Sequence, residues 1–232
     1  MLNFNDYLDN EEAINEGVYD KNIFKAFFLA GGPGSGKSWV SARTLMGQGM
    51  KVINSDDGFE RYAKQAGLNL KKMGEFTAAQ TKKKDALRGR SKRGTTIMHQ
   101  HAIDGRLGMI LDSTARDTAR IESDAQSMRC LGYDTYMVFV NTTLEVALKR
   151  NEMRPRSVPE PIVINSHRQI QKNIPKLRAI FGSRNFVEVD NSVEAEDVNI
   201  KVYKEIQKLV RSKPSSPMAQ AWINNELAKK RR

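Results

Sequence analysis

An apolar run that ends in a glycine-rich segment sets the first constraint on the fold. Lys25–Ala30 reads KAFFLA and Gly31–Ser38 continues as GGPGSGKS. The second stretch fills every fixed position of G-x-x-x-x-G-K-[ST], between an apolar run and a segment, Ser38–Met46, that suits a helix. A short buried strand, a phosphate loop and a helix in that order predict a parallel α/β sheet with a nucleotide at the carboxyl end of its first strand. Gly31, Gly34 and Gly36 permit backbone shapes that a Cβ would block, so several N–H groups converge on phosphate oxygens, aided by the dipole of the helix behind them. Gly32, Gly34, Ser35, Gly36, Lys37 and Ser38 are therefore the candidate nucleotide-binding residues. Lys37 supplies a point charge to the β and γ phosphates, and the Ser38 hydroxyl is a candidate Mg²⁺ ligand.

Four more short apolar runs read as strands: Lys51–Asn54, Leu107–Asp112, Tyr136–Asn141 and Phe186–Asp190. Helical patterns at Thr118–Leu131, Thr143–Asn151, Ile162–Phe181 and Ala195–Arg211 separate or follow them. Strands alternating with helices of this length predict right-handed βαβ units and a five-stranded parallel sheet covered on both faces, a three-layer α/β fold. Residues 58–106 form a long, basic, helix-compatible insertion between the second and third strands. Lys213–Pro217 (KPSSP) breaks the last helix, and a helical tail at Met218–Lys230 follows. The expected organisation is an acidic arm over 1–22, a main domain over 23–211 and a basic tail over 212–232.

At 232 residues, 39% hydrophobic and 28% charged, the chain has the composition of a soluble globular protein built round one sizeable domain. No apolar run approaches the ~20 residues needed to span a bilayer, so no membrane association is expected. The N-terminus lacks a basic-then-apolar signal pattern, and the single cysteine, Cys130, excludes an intramolecular disulfide framework; both fit a cytoplasmic protein. Cys130 itself reads as a small buried residue. The net charge of +11 is unevenly placed. Residues 71–93 hold Lys71, Lys72, Lys82, Lys83, Lys84, Arg88, Arg90, Lys92 and Arg93 against only Glu75 and Asp85, and residues 208–232 are also strongly basic. Two concentrated basic blocks point to a nucleic-acid partner, the alternative being a solvated surface.

Three further stretches carry chemistry. Val52–Asp57 (VINSDD) brings two carboxylates to the end of the second strand, on the edge where ligands bind in open α/β sheets. An Asp there accepts the proton of an attacking hydroxyl; the alternative is that Asp56 or Asp57 caps the next helix. Met109–Thr114 (MILDST) places Asp112 where a carboxylate holds Mg²⁺ directly or through water, with Thr114 near the substrate; the alternative is an Asx turn. Lys149–Pro161 carries Arg150, Arg154 and Arg156 in a proline-bounded segment, about 150–161. It reads as a lid whose guanidinium groups offset charge on the transferred phosphate, the alternative being a solvated loop.

Together, GGPGSGKS, INSDD, LDST and RNEMRPRSVP resemble the P-loop kinase group that contains bacteriophage polynucleotide 5′-hydroxyl kinases and zeta toxins. The likeness covers most of residues 24–190. It implies a P-loop kinase fold, ATP and Mg²⁺ as cofactors, Asp56 as general base, and Arg150 and Arg154 as phosphate-contacting lid residues; Asp57, Thr114 and Arg156 are the candidate substrate contacts. In the polynucleotide kinases an arginine follows three residues after the catalytic Asp; here that position is Phe59, and the next arginine is Arg61. The acceptor classes this leaves are a nucleic-acid hydroxyl, either a 5′ end or a hydroxymethylated pyrimidine, and a small molecule such as a nucleoside, nucleotide or nucleotide sugar. A nucleotide-binding interaction module without transfer activity is the reading from outside enzymology.

The remaining features read as structural. His99 and His101 point to different sides of a helix and read as surface residues rather than a metal pair. Met98, Met109 and Met137 are core candidates, and Trp222 either packs back on the domain or meets a partner.

Overall fold

The computed structural model describes residues 18–45, 49–153, 158–192 and 196–230. Five strands form one sheet: β1 (Lys25–Gly31), β2 (Lys51–Ile53), β3 (Met109–Asp112), β4 (Asp134–Asn141) and β5 (Phe186–Asp190). Their order is β2-β3-β1-β4-β5 and every pairing is parallel. The central strand β1 is buried along its whole length, as an apolar run without polar alternation requires.

Alternation along β1 sends side chains to two cores. Ala26, Phe28 and Ala30 join Met109, Met137 and Phe139 under α4 (Thr118–Cys130) and α6 (Glu160–Phe181), which contribute Ile121, Ala125, Met128, Ile170, Leu177 and Phe181. Phe27 and Leu29 join Ile110, Val138 and Val140 beneath Val40 of α1 (Lys37–Thr44) and Val202, Ile206 and Val210 of α7 (Glu196–Arg211). The expected three-layer parallel architecture is the observed one.

Three placements differ from expectation. Cys130 is exposed, because the buried stripe of α4 runs through Ile121, Ala125 and Met128 and leaves position 130 on the solvent side. Met98 is also exposed, on a helix that buries little of itself, whereas Met109 and Met137 lie in the core. His101 is exposed as expected; His99 is half-buried, and burial lowers its pKa.

The insertion is a helical hairpin of α2 (Ser55–Gln65) and α3 (Ala78–Asp104), joined by a 3-10 turn at Leu70–Glu75. Small residues let the two helices meet: a Cβ on Gly58 would lie 2.6 Å from Ser91 Oγ, and that hydroxyl donates to Ser55 O at 2.6 Å. Thr77 and Gln80 form a reciprocal capping box at the start of α3. Beyond Ser91 and Ala102 nothing in this 27-residue helix is buried, so most of it stands in solvent alongside α2.

The tail is docked on the domain. In α8 (Pro217–Lys230), Trp222 meets the Phe24 ring edge-on at 5.6 Å, and Phe24 in turn meets Tyr133 at 5.4 Å. The turn before α8 is tied to the sheet, since Ser215 donates from both its backbone N–H and its hydroxyl to the Asp134 carboxylate. Among the described residues no helix is long and apolar enough to cross a membrane.

Candidate active site

The loop between β1 and α1 is shaped by two left-handed glycines, Gly34 (φ 76°) and Gly36 (φ 84°). Gly36 caps α1 with no side-chain hydrogen bond to the first-turn amides, which leaves the helix N-terminus open in the manner of an anion cradle. The loop is gripped from both sides. A Cβ on Gly34 would fall 2.2 Å from Ala147 O in α5 (Leu144–Glu152), and one on Gly36 would fall 2.2 Å from Asn191 Nδ2. Lys37 Nζ donates to Gly31 O at 3.0 Å. Ser35 is buried, and its hydroxyl has no partner among the described residues; a polar atom so placed inside a loop of this shape fits a phosphate cradle.

Asn191, just beyond β5, holds this arrangement together. Its Nδ2 donates to Ser35 O at 2.8 Å, while its backbone carbonyl accepts from Arg150 Nη1 at 2.7 Å. Arg150, the first lid candidate, therefore stands beside Gly36. Arg154 and Arg156 lie outside the described residues. The two ends of that segment are brought together by Asn151, whose Nδ2 donates to Val158 O at 2.7 Å and whose Oδ1 accepts from Val158 N at 3.0 Å.

Across the carboxyl edge of the sheet stand the candidate acids. Neither Asp56 nor Asp57 caps α2: Asn54 does so, its side chain accepting from Asp56 N at 2.8 Å. Both carboxylates thus occupy the first turn, where the helix dipole favours negative charge. Asn54 Nδ2 also donates to Asp112 Oδ2 at 3.1 Å and contacts Asp57 Oδ1 at 3.4 Å, tying the ends of β2 and β3 together. Asp112 is open at its edge, yet partial desolvation raises its pKa; Lys37 opposes this, and Asp56 and Asp57 add to it. Those influences place Lys37, Asp56 and Asp57 electrostatically close to Asp112. Thr114 is exposed in the loop after β3.

Asp56 has a partner from the insertion. Arg88 of α3 approaches Asp56 Oδ1 to 3.6 Å, and its guanidinium lies over the Phe59 ring at 5.3 Å. Among the described residues no group of three or more His, Cys, Asp or Glu stands together as a metal cage. A cation held by Ser38 and Asp112 would complete its shell with water and phosphate oxygens, the usual habit of Mg²⁺.

Asn54, Arg88, Asn151 and Asn191 are the participants that motif reading passed over. Asn54 and Asn191 each lie immediately beyond a strand's carboxyl end, a positional signal available in the sequence. Arg88 carries no comparable signal, and Asn151 stands inside RNEMRPRSVP with no role assigned to it there.

A parallel sheet of this order, with a phosphate cradle after its central strand and acids opposite, has the architecture of a P-loop kinase fold. The Zeta toxin family model matches residues 18–213, and the chain belongs to that family. Among solved structures, a chain of the AvrRxo1-ORF1:AvrRxo1-ORF2 complex with sulphate ions shares the fold at TM-score 0.53 and 15% identity. That match covers 77% of this chain but only 63% of the neighbour's length. A chain of the PezAT chromosomal toxin-antitoxin system of Streptococcus pneumoniae matches at TM-score 0.50 and 17% identity, over 82% of this chain and 85% of that one. No curated protein matches.

Proposed function

We propose that this chain transfers the γ-phosphate of ATP to a hydroxyl of a nucleic acid, a 5′-hydroxyl end or a hydroxymethylated pyrimidine, with Asp56 as general base. The observation that carries this is the course of the basic helix α3, which lies along α2 and delivers Arg88 to within 3.6 Å of Asp56. A polyanion following α3 would arrive at the base. Asp56 takes the proton of the acceptor hydroxyl, whose oxygen bonds to the γ-phosphorus as the bond to the β–γ bridging oxygen breaks and ADP departs. Lys37 and Arg150 offset the charge that accumulates on the transferred group, with Arg154 and Arg156 assigned the same side of the reaction. Asp57 and Thr114 face the acceptor. Mg²⁺, held by Ser38 and Asp112, would neutralise the β and γ oxygens. In this scheme residues 23–211 are the kinase domain, 1–22 an acidic arm and 212–232 a basic tail, and the activity belongs in the cytoplasm of a bacterium or phage-infected cell.

Incubation with γ-labelled ATP and Mg²⁺ in the presence of 5′-hydroxyl DNA, 5′-hydroxyl RNA, hydroxymethyluracil DNA, nucleosides and nucleotide sugars tests this. Label is expected in a polymer, with a KM for that polymer that rises steeply between low and moderate salt as counterions are released. Label confined to a small acceptor, with a shallow salt slope, supports the second reading. That reading is favoured by membership of the Zeta toxin family and by the local engagement of several cations of the insertion. Lys83 donates to Ala66 O at 3.0 Å, and Lys84 and Lys72 pair with Asp85 and Glu75. ATP binding with no labelled product in any arm would leave a non-catalytic module.

A further inference from the structure

The backbone turns sharply just beyond the acid of β3. Ala115 lies at φ 57°, in the left-handed region that a Cβ disfavours. Glycine would relieve the strain, yet the alanine methyl is used: Ala115 is buried and belongs to the core that α6 lines with Ile170 and Leu177. The same helix also braces the turn. Asn173 Nδ2 donates to Ala115 O and to Arg116 O, each at 3.0 Å, and a side-chain amide has two N–H groups to give. Gln169 Nε2 reaches Arg116 O at 3.4 Å. On the other side, Ser113 N donates to Leu29 O at 2.9 Å, which extends the pairing of β3 with β1. Thr114 stands exposed between these two anchors, just past Asp112. The strand on the far side of β1 is held in the same way. Gln171 of α6 donates to Asn141 Oδ1 at 2.7 Å, and His167 Nε2 lies 2.9 Å from Thr142 O, at the end of β4.

We infer that Asn173 is a positioning residue for phosphoryl transfer: it holds the left-handed turn at Ala115 and so fixes Thr114 at the edge where the acceptor meets Asp56 and Asp112. The inference rests on the transfer reading above and on Thr114 facing the acceptor, and it applies to a polymer and a small acceptor alike. Two carbonyl oxygens, each 3.0 Å from one nitrogen, need a donor between them. An aspartate of the same shape would set its charge against both. A leucine of similar volume would leave both carbonyls without that donor and the turn without its brace. A left-handed alanine then has reason to relax toward ordinary backbone, and Thr114 moves with it. A glycine at 115 has no such reason, because it takes this conformation about as readily as any other.

Three forms of the full chain are compared: the unaltered one, Asn173→Leu, and the double variant Asn173→Leu with Ala115→Gly. Label from γ-labelled ATP is followed into a 5′-hydroxyl DNA oligonucleotide, or into the nucleoside or nucleotide sugar of the panel where label goes there instead. Folding is checked by thermal melting and by ATP binding. Asn173→Leu is expected to raise the acceptor KM and to lower kcat/KM for the acceptor at least tenfold, with the KM for ATP within twofold. The double variant should recover at least threefold of that loss. A contact kept only for stability would lower the active fraction, and hence kcat, at an unchanged acceptor KM. Labelled product with an unchanged acceptor KM in Asn173→Leu, or a double variant no more active than the single one, would overturn the role of Asn173 and leave the transfer reading standing. No labelled product from the unaltered chain in any arm would overturn the transfer reading, and this role with it.

Discussion

Asn54 and Asp56 divide between them two tasks that a sequence of the form N-S-D-D leaves mixed. Asn54 caps α2 and reaches Asp112, so Asp56 is spared a capping role and faces Arg88 from the first turn. If Asp56 is the base, Asp56→Asn should lower kcat by roughly 10²–10⁴ while ATP affinity stays within a fewfold, because the donor is held by the loop at Gly31–Ser38. Full activity in that variant, read from labelled product, would remove the assignment. The loop residues, Asp56 and Asp112 were legible because each sits at a fixed offset from an apolar run. Arg88 was not, since its meaning comes from contacts made across the fold, and Asn191 was legible only as a position just beyond β5. Asn191 bridges to Ser35 across a sequence separation of 156 residues, and an isolated asparagine carries no trace of that.

Among elements, the P-loop and α5 meet without room for a Cβ. Ala147 O occupies the space that a Cβ on Gly34 would need, and Gly34 has φ 76°, so two independent costs fall on any larger residue. The left-handed backbone alone costs an alanine about 1–2 kcal/mol, and the 2.2 Å approach forces the loop or α5 to move. Gly34→Ala should therefore lose ATP affinity by more than tenfold, as read by nucleotide titration, and should also lower the thermal midpoint. Binding equal to that of the unaltered chain would mean that the loop can be displaced from α5 without harm. Strands and helices were legible in the sequence within a few residues, because buried parallel strands are short apolar runs and the covering helices have apolar stripes. The strand order was not: nothing local says that β3 inserts between β2 and β1. The insertion was legible as helix, but its hairpin depends on Gly58 and Ser91, two small residues that only matter once they face each other.

For the molecule as a whole, the edge of the sheet opposite the phosphate loop is closed by the chain's own tail, and a buried charge sits in that closure. Lys25 is completely buried at the start of β1. Its Nζ donates to the backbone carbonyl and hydroxyl of Ser212, and lies 5.9 Å from the centroid of the Tyr136 ring. Burial lowers its pKa from an ordinary 10.5 to about 8, with Asp134 opposing the shift. The folded state thus binds fewer protons here than the unfolded chain between pH 8 and 10.5, so stability should rise with pH through that window. Below pH 8 both states are protonated and the folded one carries the full penalty, on the order of 3 kcal/mol. Tyr136 acts in the opposite sense at higher pH: burial pushes its pKa up to about 12, so its contribution is lost as pH rises beyond an ordinary value of 10. The clean interval is therefore pH 8 to 9.5. Chemical denaturation of the full chain and of Lys25→Met across it should give a stability difference that grows in favour of the lysine form as pH increases. Parallel pH profiles for the two proteins would mean that Lys25 keeps an ordinary pKa, and that the tail closes over a hydrated ammonium rather than a buried one.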